Sequence, residues 1–358
     1  MHVLNLSERS PELIVTVESS LAAELLNSLC AFSTPSDYPT FDLGAEWFEA
    51  RRAAIPADLM ETIGLFTEAV GTRMWGHFLG LVHETPAPRD VAAFLAQIEA
   101  TPTEELRRYL LDYYGEFDPV RRETARLAAA GDRAALEEVL AHFFPTEERR
   151  AAVRDRLFPP DDPDALKSVL LDTLKRWESI LFGELELEIQ PILERDAKAK
   201  RVIQRTGTPQ RLIDAALNGI EYTPEPGIRE VVLVPSYLWR PWVVLSDYRD
   251  MKIVVYPVAD DSVSLSGDDP PARLIKLYKA LGDERRLRTL KKLASGDNSL
   301  QELADHLGLA KSTMHHHLAI LRGAGLVRLR VRNAGDMQYS LRRDPIPDAA
   351  ELLRGYLS

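Results

Sequence analysis

The sequence predicts a mainly α-helical protein with small β elements: a large helical α+β amino-terminal domain followed by a smaller carboxyl-terminal domain. Apolar residues recur at helical spacing over most of residues 21–205. Short runs rich in β-branched and aromatic residues lie at residues 13–18 and within residues 229–258. Short helical patterns followed by two alternating strands occupy residues 272–343. These patterns together define the fold class.

Helix starts in the amino-terminal domain, residues 1–258, are marked by capping residues and prolines. The run Thr101–Glu104 combines a threonine that can cap a helix, a proline at the first helical position and a glutamate three residues after the cap. Asp118-Pro119 follows the same pattern. We therefore expect a helix to begin at each of these two places.

The β-type runs predict a small sheet at the end of this domain, over about residues 229–258. They are separated by turn residues and lie at Glu230–Pro235, Trp242–Ser246 and Met251–Pro257. We expect an antiparallel arrangement, which the strand at residues 13–18 can join. Residues 259–271 are small, acidic and end in prolines, which is typical of a linker.

The charge of the chain is distributed unevenly. The 358 residues carry a net charge of −11, which disfavours binding to an acidic partner. Residues 271–343, however, hold 15 basic and 6 acidic residues, a net of +9, whereas residues 1–270 carry −18. A basic module attached to an acidic one indicates a nucleic-acid-binding face in the basic part.

Several protein classes find no support in the sequence. No apolar run approaches the roughly 18 residues that a membrane span needs, and the amino terminus lacks the features of a secretion signal. The motifs of phosphate-binding loops, serine hydrolases and zinc proteases are missing. We therefore expect a cytoplasmic protein that is not an enzyme.

The single cysteine, Cys30, cannot form an internal disulfide or a zinc site of several thiolates. It lies among Leu26, Leu29 and Phe32, so we interpret it as a small buried hydrophobic residue. A redox-sensing role would require an exposed thiol with a lowered pKa.

The carboxyl-terminal pattern predicts a winged helix-turn-helix over residues 272–343. Glycines end the helices, and a polar turn at residues 333–336 joins the two strands. The predicted elements are helices at 273–281, 284–294, 300–307 and 311–322 and strands at 326–332 and 337–341. Their order, with a short helix, a tight turn and a longer helix before a hairpin, is that of the winged helix-turn-helix.

Helix 311–322 has the properties of a recognition helix. Met314, His317, Leu318 and Leu321 share an apolar face, and short polar or basic side chains occupy the opposite face. The hairpin adds arginines that can reach phosphate or the minor groove. The predicted DNA-binding residues are Lys311, Ser312, Thr313, His315, His316, Arg322, Arg328, Arg330, Arg332 and Asn333. Any single arginine fits a solvated surface position equally well, so the interpretation depends on the pattern.

Residues 277–290, 301–318 and 321–327 closely resemble the ArsR/SmtB family of repressors, over about a fifth of the chain. The resemblance implies a homodimer that pairs through helices at about 272–282 and 347–357. It also implies that residues 311–322 form the recognition helix. The longer chain, with Val234-Pro235-Ser236-Tyr237 before the module, looks like a multidomain subgroup of ArsR-type proteins.

The metal-binding residues of this family are absent. Residues 297–303 contain no cysteine and the last helix, residues 349–358, contains no histidine. His315-His316-His317 cannot close on one ion, because consecutive helical residues point about 100° apart. The spacing of His77 and His83 is also poor for shared ligation. We expect no metal and no cofactor.

Tyr237, Trp239 and Trp242 form an aromatic cluster around Pro241 in the predicted sheet. Such side chains can line a pocket for a small apolar or aromatic ligand. They can equally form the core between the sheet and the helices, and the sequence leaves both interpretations open.

Together these patterns predict a homodimeric repressor that binds double-stranded DNA at an imperfect palindrome, with an amino-terminal domain that senses an unknown effector. The alternative is a regulator that a protein partner gates through the same domain. A third interpretation, an enzyme fused to a DNA-binding module, would require a cleft with carboxylates of perturbed pKa.

Overall fold

A computed structural model of the chain describes most of its residues. They are residues 13–67, 75, 77–111, 114, 118–217, 220–222, 225, 227–263, 270, 272–331, 337–342 and 345–357. The chain divides into two compact units. The helical unit comprises Ser19–Leu193 and Ser236–Arg240, and the α/β unit comprises Met1–Glu18, Glu194–Pro235 and Pro241–Ser358. Helices dominate, and the strands are few and short, which confirms the predicted fold class.

The helical unit contains a succession of mostly short helices. They are α1 (Leu21–Ser33), α2 (Ala45–Arg52), α3 (Ala57–Thr67), α4 (Leu79–Glu84), α5 (Val91–Ala100), α6 (Thr103–Leu111), α7 (Pro119–Ala129), α8 (Arg133–Phe143), α9 (Glu147–Leu157), α10 (Ala165–Trp177) and the first part of α11 (Gly183–Thr206). A π-helical segment, Glu178–Phe182, continues α10 into α11.

The predicted helix start at Asp118-Pro119 is confirmed, because the Asp118 carboxylate accepts a hydrogen bond from Val120 N at 2.9 Å. The predicted cap at Thr101 is wrong. Its hydroxyl donates to Gln97 O at 2.7 Å, so Thr101 ends α5 and does not begin α6. A threonine between two closely spaced helices can serve either one, and local pattern does not distinguish them.

Aromatic packing forms the core of the helical unit around Phe32. Its ring contacts Phe48 with centroids 5.0 Å apart and Trp177 with centroids 5.4 Å apart. The Trp177 indole N–H donates to Ser28 Oγ at 2.7 Å, so this buried ring also satisfies its polar atom. Cys30 is buried nearby on α1, and burial raises the pKa of its thiol, which confirms its interpretation as an apolar residue.

The α/β unit contains two small sheets and the remaining helices. The strands are β1 (Ile14–Val17), β2 (Ile220–Tyr222), β3 (Glu230–Ser236), β4 (Val244–Tyr248), β5 (Met251–Pro257), β6 (Val327–Val331) and β7 (Met337–Leu341). The helices are α12 (Pro209–Leu217), α13 (Asp260–Val263), α14 (Ala272–Leu281), α15 (Glu284–Leu293), α16 (Leu300–Leu307), α17 (Lys311–Gly323) and α18 (Pro345–Leu357).

The first sheet has the strand order β1-β3-β5-β4. The strand at residues 14–17 does join it, but β1 lies parallel to β3, with Ile14 opposite Glu230. The expectation of an antiparallel sheet holds for β4 and β5 and is wrong for β1 and β3. A parallel pair needs a long connection, and the roughly 200 residues between these strands supply one.

The second sheet has the order β2-β6-β7 and includes a strand that the sequence did not predict. The strand β2 is three residues long and lies parallel to β6, with Ile220 opposite Leu329. It covers the edge of β6 that does not pair with β7. A strand this short carries too little periodicity to be recognised in the sequence.

One apolar cluster joins most elements of the α/β unit. It includes residues of both sheets, of α11 and α12, and of the four helices α14–α17. Buried members are Val15, Ala197, Leu212, Val231, Val254, Tyr256, Leu277, Leu293, Leu303, Met314, Leu318 and Leu329. The carboxyl-terminal module therefore shares its core with residues 194–258.

The beginning of the expected linker is packed. Asp196 on α11 is fully buried and accepts hydrogen bonds from Ala259 N at 2.8 Å, Ser262 Oγ at 3.2 Å and Tyr256 Oη at 2.7 Å. Ala259 and the short helix α13 (Asp260–Val263) are thus held in place, although the sequence predicts a linker over residues 259–271. Residues 264–269 and 271 lie outside the described residues.

Candidate nucleic-acid interface

The turn between α16 and α17 has the geometry of a helix-turn-helix. Ser299 and Glu302 form a reciprocal capping box at the start of α16, with Ser299 N donating to Glu302 Oε2 at 2.7 Å. Gly308 ends α16 in the left-handed conformation, with φ 64°, which favours glycine. Leu309 N then donates to Ala304 O at 2.9 Å, and this bond closes the turn before α17.

The two faces of α17 agree with the predicted pattern. Met314, His317, Leu318 and Leu321 are buried against the core of the α/β unit. Side chains at the other face are accessible: Lys311, Ser312 and His315 are exposed, and Thr313 and His316 are half-buried. The described polar surface of α17 is therefore concentrated in its first two turns, where the amide ends of the helix also favour phosphate.

His316 and His317 lie beside the start of α15. Burial lowers the pKa of both imidazoles below the ordinary value, and the nearby Asp283 carboxylate only partly opposes this effect. His317 Nδ1 lies 4.0 Å from Asp283 Oδ1. The neutral form of both rings is therefore favoured at pH 7, and in that form His316 can act toward DNA as a hydrogen-bonding group.

Arg322 is not available to DNA in this structure. Its side chain is only 8% exposed. The guanidinium donates to Pro241 O at 3.1 Å and lies 5.8 Å from the centroid of the Trp242 ring. Its predicted role as a DNA contact is corrected to a packing role. The sequence could have predicted that Arg322 is buried, because Arg322 follows the buried Leu318 by four residues and so lies on the same face of the helix.

The wing places two of its predicted arginines on one side of β6. Val327 and Leu329 are buried, whereas Arg328 and Arg330 alternate with them and are half-buried. Arg330 Nη1 also forms an ion pair with Asp297 Oδ2 at 3.0 Å. Arg332 and Asn333, at the predicted tip, lie outside the described residues.

The second helix of the module adds cations that the prediction omitted. Arg285, Arg288 and Lys291 are exposed along α15 at intervals of three residues, which places them near one another on its surface. Arg286 differs, because its side chain donates to Ala280 O at 2.9 Å and closes the turn between α14 and α15. The spacing of the three exposed cations would have identified them.

The three aromatic residues of the predicted ligand pocket belong to different units. Tyr237 and Trp239 are part of the helical unit, where Trp239 packs on Phe41 with centroids 5.2 Å apart. Trp242 is part of the α/β unit and stacks on His315. The expected ligand pocket stays a prediction.

Tyr237 begins a turn that a buried carboxylate organises. Glu24 on α1 accepts hydrogen bonds from Tyr237 N at 2.9 Å and Leu238 N at 2.7 Å. Burial is the main cause that raises the pKa of Glu24 above its ordinary value. Glu24 therefore connects the turn at residues 236–240 with α1 inside the helical unit. No pattern in the sequence predicted this role of Glu24.

Two negative findings concern the described part of the chain. Within it, no three histidine, cysteine, aspartate or glutamate side chains come together as a metal site would require. Within the same residues, no helix is long and apolar enough to cross a membrane.

Comparison with known proteins identifies the module. Residues 283–328 match the family described as bacterial regulatory protein, arsR family. The transcriptional activator HlyU of Vibrio cholerae is 38% identical over 82 residues, which are 23% of this chain and 75% of HlyU. The transcriptional regulator KmtR of Mycobacterium tuberculosis is 32% identical over 88 residues, 25% of this chain and 67% of KmtR.

A further relative, the transcriptional regulator CmtR of Mycobacterium tuberculosis, is 46% identical over 54 residues. That match covers 15% of this chain and less than half of CmtR, 46% of its length. No solved structure matches the chain. The helix-turn-helix geometry, the family match and the coverage of HlyU and KmtR agree, and the chain belongs to the ArsR family of bacterial transcription regulators.

Proposed function

We propose that this DNA-binding transcription regulator acts as a homodimeric repressor at an imperfect palindromic operator, and that an effector acting on the helical unit changes its affinity for DNA. The main observation that supports this proposal is the accessible polar face in the first two turns of α17, the second helix of a well-capped helix-turn-helix. Two such helices in a dimer would enter successive major grooves roughly 34 Å apart.

Base contacts are assigned to α17 and backbone contacts to the wing. Lys311, Ser312, Thr313, His315 and His316 occupy the accessible face of α17, and their donors and acceptors suit the edges of bases in the major groove. Arg328 and Arg330 are assigned to phosphates, together with Arg332 and Asn333 at the predicted tip. Arg285, Arg288 and Lys291 on α15 add positive charge to the same module.

Exposed apolar side chains on the outer helices of the module support the homodimer. Ile275 and Tyr278 on α14 are 39% and 44% exposed, and Tyr356 and Leu357 on α18 are 44% and 73% exposed. The two helices are adjacent, since Tyr278 Oη donates to Ala349 O at 3.5 Å. A second copy would remove this apolar surface from water.

Repression is the proposed direction of regulation, because a dimer bound at a promoter blocks access of the polymerase. HlyU carries the name of an activator, so the direction needs its own measurement. Transcription from a promoter that contains the selected operator, with and without the protein, would decide between the two directions.

The alternative to a small-molecule effector is a protein partner that binds the helical unit and controls DNA binding. Val120 and Leu127 on α7 are 76% and 37% exposed and lie seven residues apart, so they share one face of that helix. An exposed apolar face of this kind fits a partner helix.

Selection of bound duplexes from a random DNA pool, at near-physiological salt, tests the proposed function. A palindrome with half-sites about one helical turn apart is expected. Lys311→Ala, His316→Ala and Arg330→Ala should each weaken binding to that duplex while the protein stays folded, and Lys198→Ala, which removes an exposed lysine on α11, is the matched control. Unchanged affinity in all three variants would refute the assignment.

A further inference from the structure

A segment far outside the family match contacts the recognition helix directly. The Trp242 ring stacks on the His315 imidazole, with centroids 4.9 Å apart and an angle of 16° between the planes. The matched region spans residues 283–328, so Trp242 lies about 40 residues before it. The contact is internal to the α/β unit, because both residues belong to that unit.

The same indole also contacts the next turns of α17. His315 and Arg322 are seven residues apart and therefore lie on one stripe of the helix. Trp242 stacks on His315, and the Arg322 guanidinium lies 5.8 Å from the centroid of the Trp242 ring. A Cβ added to Gly323 would lie 3.5 Å from Pro241 Cβ, which shows how closely the segment approaches the helix.

Arg322 explains why the segment is held firmly. Its side chain is buried, and burial lowers the pKa of the guanidinium. The Pro241 carbonyl accepts one of its hydrogen bonds at 3.1 Å, and the face of the indole offers a cation–π contact. Burying a cation is costly without such partners, so the segment and the helix stabilise each other.

The stacked ring restricts His315. A face-to-face contact leaves the edge of the imidazole accessible, and its nitrogen atoms lie on that edge. His315 remains exposed in spite of the contact. Because the indole limits the orientations of the ring before DNA arrives, less side-chain entropy is lost on binding.

We propose that Trp242 is a positioning residue of the DNA-binding site: its indole, stacked on His315 and packed against Arg322, holds the His315 imidazole in the orientation that reads the operator. This inference rests on the proposed function, since it requires α17 to be the helix that contacts bases. Residue 241 directly follows the Ser236–Arg240 segment of the helical unit. The chain itself therefore connects that unit to a residue that orients a side chain of the recognition helix.

A double-mutant cycle between Trp242 and His315 tests the inference. The probe is the duplex that the wild-type protein selects from a random pool. Trp242→Ala should bind it roughly 2- to 10-fold more weakly, the range expected for loss of one aromatic pair. It should also relax base preference at the half-site positions that His315→Ala relaxes. The double variant should be no weaker than the weaker single variant, because both changes remove one function.

Conservative and control variants separate positioning from stability. Trp242→Phe keeps a stacking ring and should restore most of the affinity and base preference, whereas Trp242→Leu keeps apolar bulk and should not. Trp242→Leu also replaces Trp242→Ala in the cycle if the alanine variant does not fold. Trp47→Ala removes a half-buried tryptophan of the helical unit that packs on Arg51, and it should leave base preference unchanged.

The outcomes distinguish this inference from the proposed function. If the wild-type protein selects no sequence, the proposed function fails. If it selects an operator but Trp242→Ala and Trp242→Leu bind it with wild-type affinity and preference, the positioning role alone is refuted. Tighter binding by these variants would also refute it, because the contact would then restrain the helix and not prepare it.

Discussion

Arg330 on the wing strand forms an ion pair with Asp297, three positions before Leu300, where α16 begins, with 3.0 Å between Nη1 and Oδ2. The pair links the wing to the start of the helix-turn-helix. Both side chains are partly exposed, so the pair contributes little to stability, at most about 1 kcal/mol. Its importance is that the Asp297 carboxylate competes with DNA for an arginine that is assigned to phosphate.

Replacement of Asp297 should therefore affect DNA binding more than folding. Asp297→Asn removes the competing carboxylate and a negative charge near DNA, and binding to the selected operator should tighten by up to about fivefold at low salt. Fluorescence anisotropy titrations at several salt concentrations measure the effect. Asp305→Asn, at an exposed carboxylate of α16, is the control. A weaker or unchanged affinity of Asp297→Asn would contradict the expectation.

Arg322 and Lys311 should respond differently to substitution. Arg322→Ala removes a buried side chain and should lower the free energy of unfolding by about 1–3 kcal/mol, with no change in the salt dependence of DNA binding. Lys311→Ala should leave stability unchanged and reduce the slope of log affinity against log salt by about 1. Urea unfolding and salt titrations provide the two measurements. If Arg322→Ala reduces the slope of log affinity against log salt, Arg322 contacts DNA and its assignment to a packing role is wrong.

Glu24 should make the stability of the helical unit depend on pH. Because burial raises its pKa in the folded state, the protonated form is favoured there, and its contribution to stability is lost as pH rises through the folded pKa. Glu24→Gln keeps an oxygen that can accept from the Tyr237 and Leu238 amides without the charge. The variant should gain stability relative to the wild type as the pH rises over the range above the ordinary glutamate pKa.

Chemical unfolding of both proteins across that range measures the difference. Glu46→Gln, at an exposed glutamate of α2, should follow the wild-type curve. A difference between Glu24→Gln and the wild type that stays constant with pH would show that Glu24 does not titrate in this range.

The apolar surface of α14 and α18 should control the oligomeric state. Ile275→Glu and Leu357→Glu place charges on the proposed dimer surface and should convert the protein to monomers that bind the operator more weakly, because half-sites are then occupied independently. Light scattering coupled to size exclusion gives the mass. Leu187→Glu changes an equally exposed leucine of α11 outside this surface and should leave the mass unchanged. If both test variants remain dimers, the dimer interface does not lie on α14 and α18.

Local signals determined the parts of the fold that the sequence predicts well. The cap at Ser299, the glycine at 308 and the apolar positions 314, 317, 318 and 321 each act within a few residues, so the helix-turn-helix follows from the sequence. The same reasoning identifies the accessible face of α17. It misplaced Arg322 because the residue type suggested DNA while the helical spacing indicated burial.

The tertiary structure decided what depends on residues far apart in the chain. The sequence by itself determined the fold class, the DNA-binding module and its family. Only the folded chain shows that β2 covers the edge of the wing, that Asp196 holds residues 259–263, and that Trp242 stacks on His315. Each of these contacts joins segments separated by tens to about a hundred residues. No local periodicity or capping motif records such a pairing, because it is specified by the complementarity of surfaces that exist only after folding.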